Sequence, residues 1–506
     1  MQTNNGETKK ILIVGGGTAG WMAANLFAKK LINKGFEISL LESSDIPTVG
    51  VGEGSTPYIK RFFDALDIEE SEWMSACCAT YKGGITFADW STIPGHTSYF
   101  HPFLSSVDGE CFNVFRQVTT LRHHGYEVNA HPNDYFLQTE LVKQKRLPLS
   151  LDKQKSDTIY AYHFDASKLG EYLKKHAASL GVKHIVDSVT QVKLAPSGDI
   201  SHVETKKNGL VEADIFVDCT GFSALLIQKT LGVPFTIFKD NLYNDAAVAI
   251  PSAPKSQYSP QTVATAMSNG WRWDIPLTTR NGNGYVYSSD FQSADDAEAE
   301  LRRSLGDSIL TDASARHIKM RVGRTTKHWH KNCVAIGLSQ GFIEPLEATA
   351  LHIVQLSIEQ FIEQYEKGDY SPKYQGFYND GVNLVFEHIR DYIVLHYLTN
   401  SRQNSNYWLA CRNDIKISDS LQAIMEVWCQ GGDLDAELKR QQITQYYSSM
   451  SWHVLLSGVG VFPSGAAKQL QKHAAADDAL KQIRQQLKEH ARFFPINEGI
   501  FNQAVV

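Results

Sequence analysis

The sequence predicts an α/β (α+β) fold: a Rossmann-like parallel sheet at the N-terminus, antiparallel strands through the middle, and a helical C-terminal region. Three observations carry this. The continuous apolar run at 11–14 opens directly onto Gly15-Gly16-Gly17-Thr18-Ala19-Gly20, as a buried parallel strand entering a helix should. Two later apolar runs, at 214–218 and 333–336, also end in glycine, at Gly221 and Gly337. Beyond Pro345 the apolar residues recur at helical spacing through 350–366, 376–398, 419–429 and 465–491.

The glycine segment is read with what flanks it. A helical stretch at 21–28 and a second apolar strand at 37–41 follow, and that strand ends on Glu42, about twenty residues after the glycines. In this setting Gly15 makes the tight turn, Gly17 lets the backbone approach a pyrophosphate, and Gly20 permits close helix–strand packing. Thr18 and Ala19 open the helix whose N-terminus faces the phosphates, and Glu42 accepts from ribose hydroxyls. A glycine-rich turn without a ligand does not explain Glu42. The strand ends at Gly221 and at Gly337-Leu338 would reach the same cofactor across some 330 residues, the layout of an extended FAD site rather than a compact NAD half-domain.

Composition bounds the partners. The 506 residues amount to about three domain equivalents, enough to bury cores without a metal or disulfide staple. Lys+Arg is 49 against Asp+Glu 55, a net charge of −6, with no basic run, so nucleic acid is not an expected partner. No apolar run approaches the eighteen residues of a membrane span. The seven cysteines are odd in number, scattered and without a C-x-x-C pair, which fits a reduced cytoplasmic setting with no metal. The pattern from 183 to 290 alternates like antiparallel strands, and the domain expectation is one module over 1–350 with inserted substrate-site strands, and a helical cap over 351–506 that completes the substrate site.

Further landmarks resemble a known family. Gly270-Trp271-Arg272-Trp273-Asp274-Ile275-Pro276 is similar to the G-W-x-W-x-I-P signature of flavin-dependent tryptophan-type halogenases. Trp21 after the glycine motif, Gly52-Glu-Gly-Ser-Thr-Pro57, Tyr81-Lys82 and Gly341-Phe-Ile-Glu-Pro-Leu-Glu347-Ala-Thr349 resemble the family as well. The resemblance implies a flavin monooxygenase-type fold and the use of reduced FAD (FADH2), supplied by a separate NAD(P)H-dependent flavin reductase, with oxygen and chloride or bromide. Hypohalous acid then travels through a tunnel to an electron-rich aromatic, indole or an indole derivative. It implies that Gly52 joins the cofactor site and that Lys82 holds hypohalous acid or forms a haloamine. Glu347 assists transfer and takes the ring proton, and the halide sits against the N–H groups of Thr349 and Ala350. Where the family usually reads Glu-Ser-Thr-Gly or Glu-Ser-Thr-Ser, this chain has Glu347-Ala348-Thr349-Ala350, one hydroxyl fewer and one methyl more beside the halide. A homodimer is compatible with this reading.

The same residues also have a plainer reading. Lys82 and Glu347 lie in largely apolar stretches, and opposite charges there fit a structural ion pair as well as a catalytic pair. Trp271 and Trp273, at i and i+2 of a strand, project to one face, either as core or as a wall between flavin and substrate. His101 and Phe103 follow two aromatics and would line the substrate site, as would Tyr446, Tyr447 and Trp452 in the tail. No Asp or Glu occurs between Glu437 and Asp477, so this tail cluster is expected to carry no anion and to favour an uncharged ring over tryptophan. The competing functions are an FAD-dependent aromatic hydroxylase, which would need the tryptophan wall open, and a non-catalytic FAD-binding subunit, which would not need Lys82 and Glu347.

Overall fold

Strand Lys9–Val14 pairs in parallel with Phe36–Glu42 on one side and with Ile215–Asp218 on the other. The sheet extends to Lys183–Val186 beyond Phe36–Glu42, and to Cys333–Ala335 and Trp329–His330 beyond Ile215–Asp218. All contacts along Lys183–Val186, Phe36–Glu42, Lys9–Val14, Ile215–Asp218 and Cys333–Ala335 are parallel, so these carboxyl ends share one edge. The three strands that the sequence ends in glycine are therefore neighbours, at the edge where open α/β sheets bind ligands. The computed structural model describes residues 8–45, 52–310, 313–463 and 471–498.

The chain divides into two units, each drawn from three stretches. The first comprises Met1–Ala79, Phe164–Phe238 and Arg321–Glu387, and the second Thr80–His163, Lys239–Met320 and His388–Val506. The sequence reading places a single boundary near 350; the observed units interleave, because strands distant in sequence complete each sheet.

In the first unit, helix Thr18–Leu31 buries Trp21, Met22, Leu26 and Phe27 and packs against helices Ala166–Ser179 and Ala350–Lys367. Asp165 caps Ala166–Ser179 by accepting from the N–H groups of Ser167 and Lys168. A three-stranded antiparallel meander, Val189–Leu194, Ile200–Thr205 and Gly209–Glu212, contributes Ile200 and Val203 to the core beside Leu12, Val14 and Phe216.

In the second unit a seven-stranded sheet runs Arg316–Lys319, Ala246–Ala249, Asn281–Tyr287, Gly270–Pro276, Thr262–Ala266, Gly84–Ala88, Ser98–Pro102. The antiparallel reading of the middle of the chain holds here, except that Thr262–Ala266 pairs in parallel with Gly84–Ala88. Of the helical stretches, 350–366, 376–398 and 419–429 are realised within a residue or so as Ala350–Lys367, Gln375–Leu398 and Asp419–Cys429. The last one is shorter than its pattern. Residues 464–470 lie outside the described residues, Gln471–Lys472 pairs with Tyr126–Glu127, and the helix begins at Ala474, where the His473 ring accepts from Ala476 N–H.

Candidate functional site

The glycine turn of the first unit is shaped by close backbone approach. A Cβ on Gly15, at φ +117°, would stand 2.1 Å from the Cys219 carbonyl oxygen, and one on Gly20 would stand 1.9 Å from the Gly15 carbonyl oxygen. Both positions exclude any other residue. Gly17 is different: among the described residues nothing lies within 4 Å of where its Cβ would be. That distinction fits a backbone that must be approached by a ligand rather than by its own fold.

Thr18 and Ala19 begin the helix, and a Cβ on Gly337 would meet Ala19 at 2.7 Å, which brings the third strand end against the first helical turn. Gly221 and Gly337 both have left-handed backbone conformations, φ +69° and +73°. Between them Asp218, fully buried, accepts from the N–H groups of Thr220, Leu226 and Ile227 and fixes the turn after its strand. Burial pushes its carboxyl above the ordinary range. Glu42 ends its strand over the same turn: its carboxylate occupies the space a Cβ on Gly16 would fill, and its Oε1 accepts from Lys174 Nζ at 2.9 Å and His184 Nε2 at 2.8 Å. Leu338 lies in the turn Gly337–Ser339, and Gly52 opens the short strand Gly52–Gly54.

The Glu347 segment follows the third strand end. A 3-10 turn, Pro345–Glu347, leads into Ala348 in the left-handed region at φ +56°, and Thr349 then precedes helix Ala350–Lys367. Glu347 is 5% exposed. Thr349 is buried, and its Oγ1 has no hydrogen-bond partner among the described residues, an orphaned polar group at the start of an 18-residue helix.

Lys82 lies in the second unit, on strand Thr80–Lys82, which pairs antiparallel with Ala161–His163. Its side chain is fully buried, and its ammonium stands 5.5 Å from the centre of the Phe103 ring. Phe103 N–H donates to the Gly83 carbonyl, so strand pairing sets this cation–π contact. Trp271 and Trp273 do share one face of their strand, with ring centres 6.2 Å apart, and both are buried. Trp273 packs over Gly284, directly opposite in the next strand, where a Cβ would be 2.0 Å from its ring. The Trp273 indole N–H is buried without a partner among the described residues.

The aromatic candidates meet around a residue that no motif singles out. Tyr392 stacks on Tyr447 at 3.7 Å, takes the edge of Trp452 at 5.0 Å, and lies 6.3 Å from His101. Tyr446 instead approaches His388, at 5.8 Å. His388, Tyr392 and His396 recur every fourth residue on helix Gln375–Leu398, and this spacing of polar aromatics was the available signal. One expectation fails here. The tail does carry an anion, because Asp435, just before the acid-free window, accepts from His453 Nε2 at 3.2 Å and from Ser449 and Arg116. These donors hold its carboxyl well below the usual carboxylate range. A window drawn along the sequence misses a partner supplied by the preceding helix, Leu434–Arg440.

A parallel sheet with a glycine turn at its carboxyl edge and one glycine left open is the arrangement of a dinucleotide-binding protein. Comparison with known proteins then fixes the family. The tryptophan halogenase family matches residues 10–492. The chain is 39% identical over 521 residues to the tryptophan 6-halogenase SttH of Streptomyces toxytricini, covering 97% of this chain and 96% of that protein. It is 33% identical to the tryptophan 7-halogenase RebH of Lentzea aerocolonigenes, covering 96% of each. The crystal structure of SttH superposes with a TM-score of 0.84, and that of BrvH, a flavin-dependent halogenase from Brevundimonas sp. BAL3, with 0.83 at 31% identity; each alignment covers 97% of this chain and 99% of the other. The chain belongs to the tryptophan halogenase family and is an FAD-dependent halogenase. No helix among the described residues is long and apolar enough to cross a membrane.

Proposed function

We propose that this enzyme halogenates an indole-type aromatic with chloride or bromide, using reduced FAD delivered by a separate NAD(P)H-dependent flavin reductase. The observation that carries the reading is membership of this family, supported by an open Gly17 and a buried Glu347 in the first unit and a fully buried Lys82 in the second. Gly15, Gly17, Thr18, Ala19, Gly20, Glu42, Gly52, Gly221, Gly337 and Leu338 would hold FAD, the glycine turn taking the pyrophosphate. Reduced FAD, when bound, would supply two electrons to oxygen, and oxygen so activated takes two more from the halide to give hypohalous acid, with oxidised FAD and water as the other products.

The chain's own groups do the rest. The N–H groups of Thr349 and Ala350, with the orphaned Thr349 hydroxyl, hold the halide. Trp271 and Trp273 wall the flavin from the aromatic, so that oxygen is not inserted directly. Lys82 Nζ–H donates to the hypohalous acid oxygen. As the ring carbon bonds to halogen, the departing hydroxide takes that proton and leaves as water. Glu347 accepts the proton from the substituted ring carbon. His101, Phe103, Tyr446, Tyr447 and Trp452 would surround the ring.

An uncharged indole fits the tail better than free tryptophan, since Asp435 is already matched by Arg116 and His453 and leaves no spare carboxylate for an ammonium. Mass spectrometry of an indole panel with FAD, reductase, NADH and bromide or chloride tests the function. Halogenated product is expected, and a hydroxylated product independent of halide would overturn it.

A further inference from the structure

His163 sits two residue pairs along the strand ladder from Lys82 and belongs to no motif. Strands Thr80–Lys82 and Ala161–Asp165 run antiparallel with Thr80 opposite His163 and Lys82 opposite Ala161, so Thr80, Lys82 and His163 share one face. His163 is fully buried and bonded at both ring nitrogens: Nδ1 lies 3.1 Å from Thr80 Oγ1, and Nε2 lies 2.9 Å from Thr262 Oγ1.

The protons on this chain of groups can be assigned. Thr80 Oγ1 donates its only hydrogen to the Pro276 carbonyl at 2.7 Å. It can therefore only accept from His163, which places the imidazole proton on Nδ1. Nε2 is then the acceptor, and Thr262 Oγ1 donates to it. The neutral ring satisfies all four groups in one direction, from Thr262 through His163 and Thr80 to Pro276. A second cation beside the buried ammonium would be repelled by it, and burial together with Lys82 holds the imidazole pKa far below its ordinary value.

Each end of the relay is tied to an element of the candidate site. Pro276 closes the strand Gly270–Pro276 that carries Trp271 and Trp273, and Thr262 opens the strand Thr262–Ala266 that lies between it and Gly84–Ala88. We propose that His163, through Thr80, is a positioning residue for Lys82: a neutral imidazole of fixed tautomer that locks the lysine strand to the tryptophan strand. This rests on the reading of Lys82 as the group that delivers halogen.

The test compares Thr80→Val, Thr80→Ser and His163→Leu with wild type and Lys82→Ala, using indole, bromide, FAD and reductase. Each protein is also assayed with a freely diffusing β-diketone as halogen acceptor. Thr80→Val and His163→Leu should lower kcat for indole at least tenfold, leave KM within about twofold and leave bromination of the free acceptor unchanged. Thr80→Ser, which keeps the hydroxyl, should recover to within about threefold of wild type, and the Thr80→Val/His163→Leu double variant should be no worse than either alone. An active Thr80→Val protein, a loss that serine does not rescue, or losses that multiply would overturn the relay. Lys82→Ala separates the two readings. If it still brominates indole, the role of Lys82 itself falls and the relay with it; if it is inactive while Thr80→Val is active, only the relay falls. Should Thr80→Val fail to fold, Thr262→Val cuts the other end and must show the same kcat loss at unchanged KM.

Discussion

The two units build their candidate sites from different materials. In the first, the glycine turn, Gly221 and Gly337 present backbone, and at that turn what matters is the absence of side chains, with Glu42, Glu347 and Thr349 as the exceptions that act through theirs: a Cβ at Gly15 or Gly20 would collide with a carbonyl oxygen. In the second, Lys82, His163, Thr80, Trp273 and Tyr392 act through side chains whose partners come from distant strands and helices. The glycines of the backbone site are marked by neighbours within a few positions, although the groups they approach, such as the Cys219 carbonyl against Gly15, come from distant strands. A side-chain site is specified by pairings between segments up to some three hundred residues apart. Substitutions should therefore behave differently in the two units.

Gly20→Ala should have the largest effect, because a methyl 1.9 Å from the Gly15 carbonyl oxygen must displace the turn itself. Loss of FAD binding by a hundredfold or more, about 2.7 kcal/mol, together with a lower Tm, is expected by fluorescence titration and thermal melting. Wild-type FAD affinity in this variant would break the contrast. Lys82→Ala, the corresponding change in the second unit, should leave FAD affinity alone and lower halogenated product more than tenfold, about 1.4 kcal/mol of barrier. Product above a tenth of wild type would mean that hypohalous acid alone suffices. Glu347→Gln should slow the reaction less completely, since water can accept the ring proton.

Substrate choice sharpens the side-chain half. An ammonium without a matching carboxylate loses a charge-assisted hydrogen bond, about 1.5–3 kcal/mol or roughly ten- to a hundredfold. In a single vessel indole should therefore outcompete tryptophan, and a clear preference for tryptophan would show that a clamp exists elsewhere. Gly17→Ala then tests the backbone half more finely than Gly20→Ala does. Its Cβ meets nothing among the described residues, so Tm should stay near wild type while FAD affinity falls about tenfold, about 1.4 kcal/mol, because the methyl intrudes on the ligand. A parallel fall in Tm would mean that the open side of Gly17 serves the fold.

The same contrast explains what the sequence made legible. That three apolar strands end in glycine could be read from apolar runs and punctuation, because each of those signals is local; that they lie side by side is seen only in the fold. The shared face of Trp271 and Trp273 could be read as well, because it follows from the two-residue period of a strand. Tyr392 and His163 were not legible. An isolated His inside the apolar stretch Ala161–Phe164 hints at a buried polar group, but its partners Thr80 and Thr262 lie about a hundred residues away on either side. The tail shows the same limit, since its anion, Asp435, lies only two residues before Glu437, where the acid-free window opens.

The smallest expected effect concerns that anion. Asp435 accepts from His453, Ser449 and Arg116, and these donors favour its ionised form, so its pKa in the folded chain is below that in the unfolded chain. A carboxyl depressed in this way contributes stability above its unfolded pKa, about 3.9, and loses that contribution as pH falls through and below that value. Asp435→Asn removes the charge at every pH. It should therefore lower Tm by a few degrees at pH 7, and the gap to wild type should narrow as the pH is taken from 5 towards 3. Arg116→Gln should lower Tm less, because its guanidinium is half-exposed and exposed pairs contribute little. If the Asp435→Asn gap were instead constant with pH, the carboxylate would be acting by shape and hydrogen bonding rather than by charge, and would be as poor an ammonium clamp as the rest of the tail.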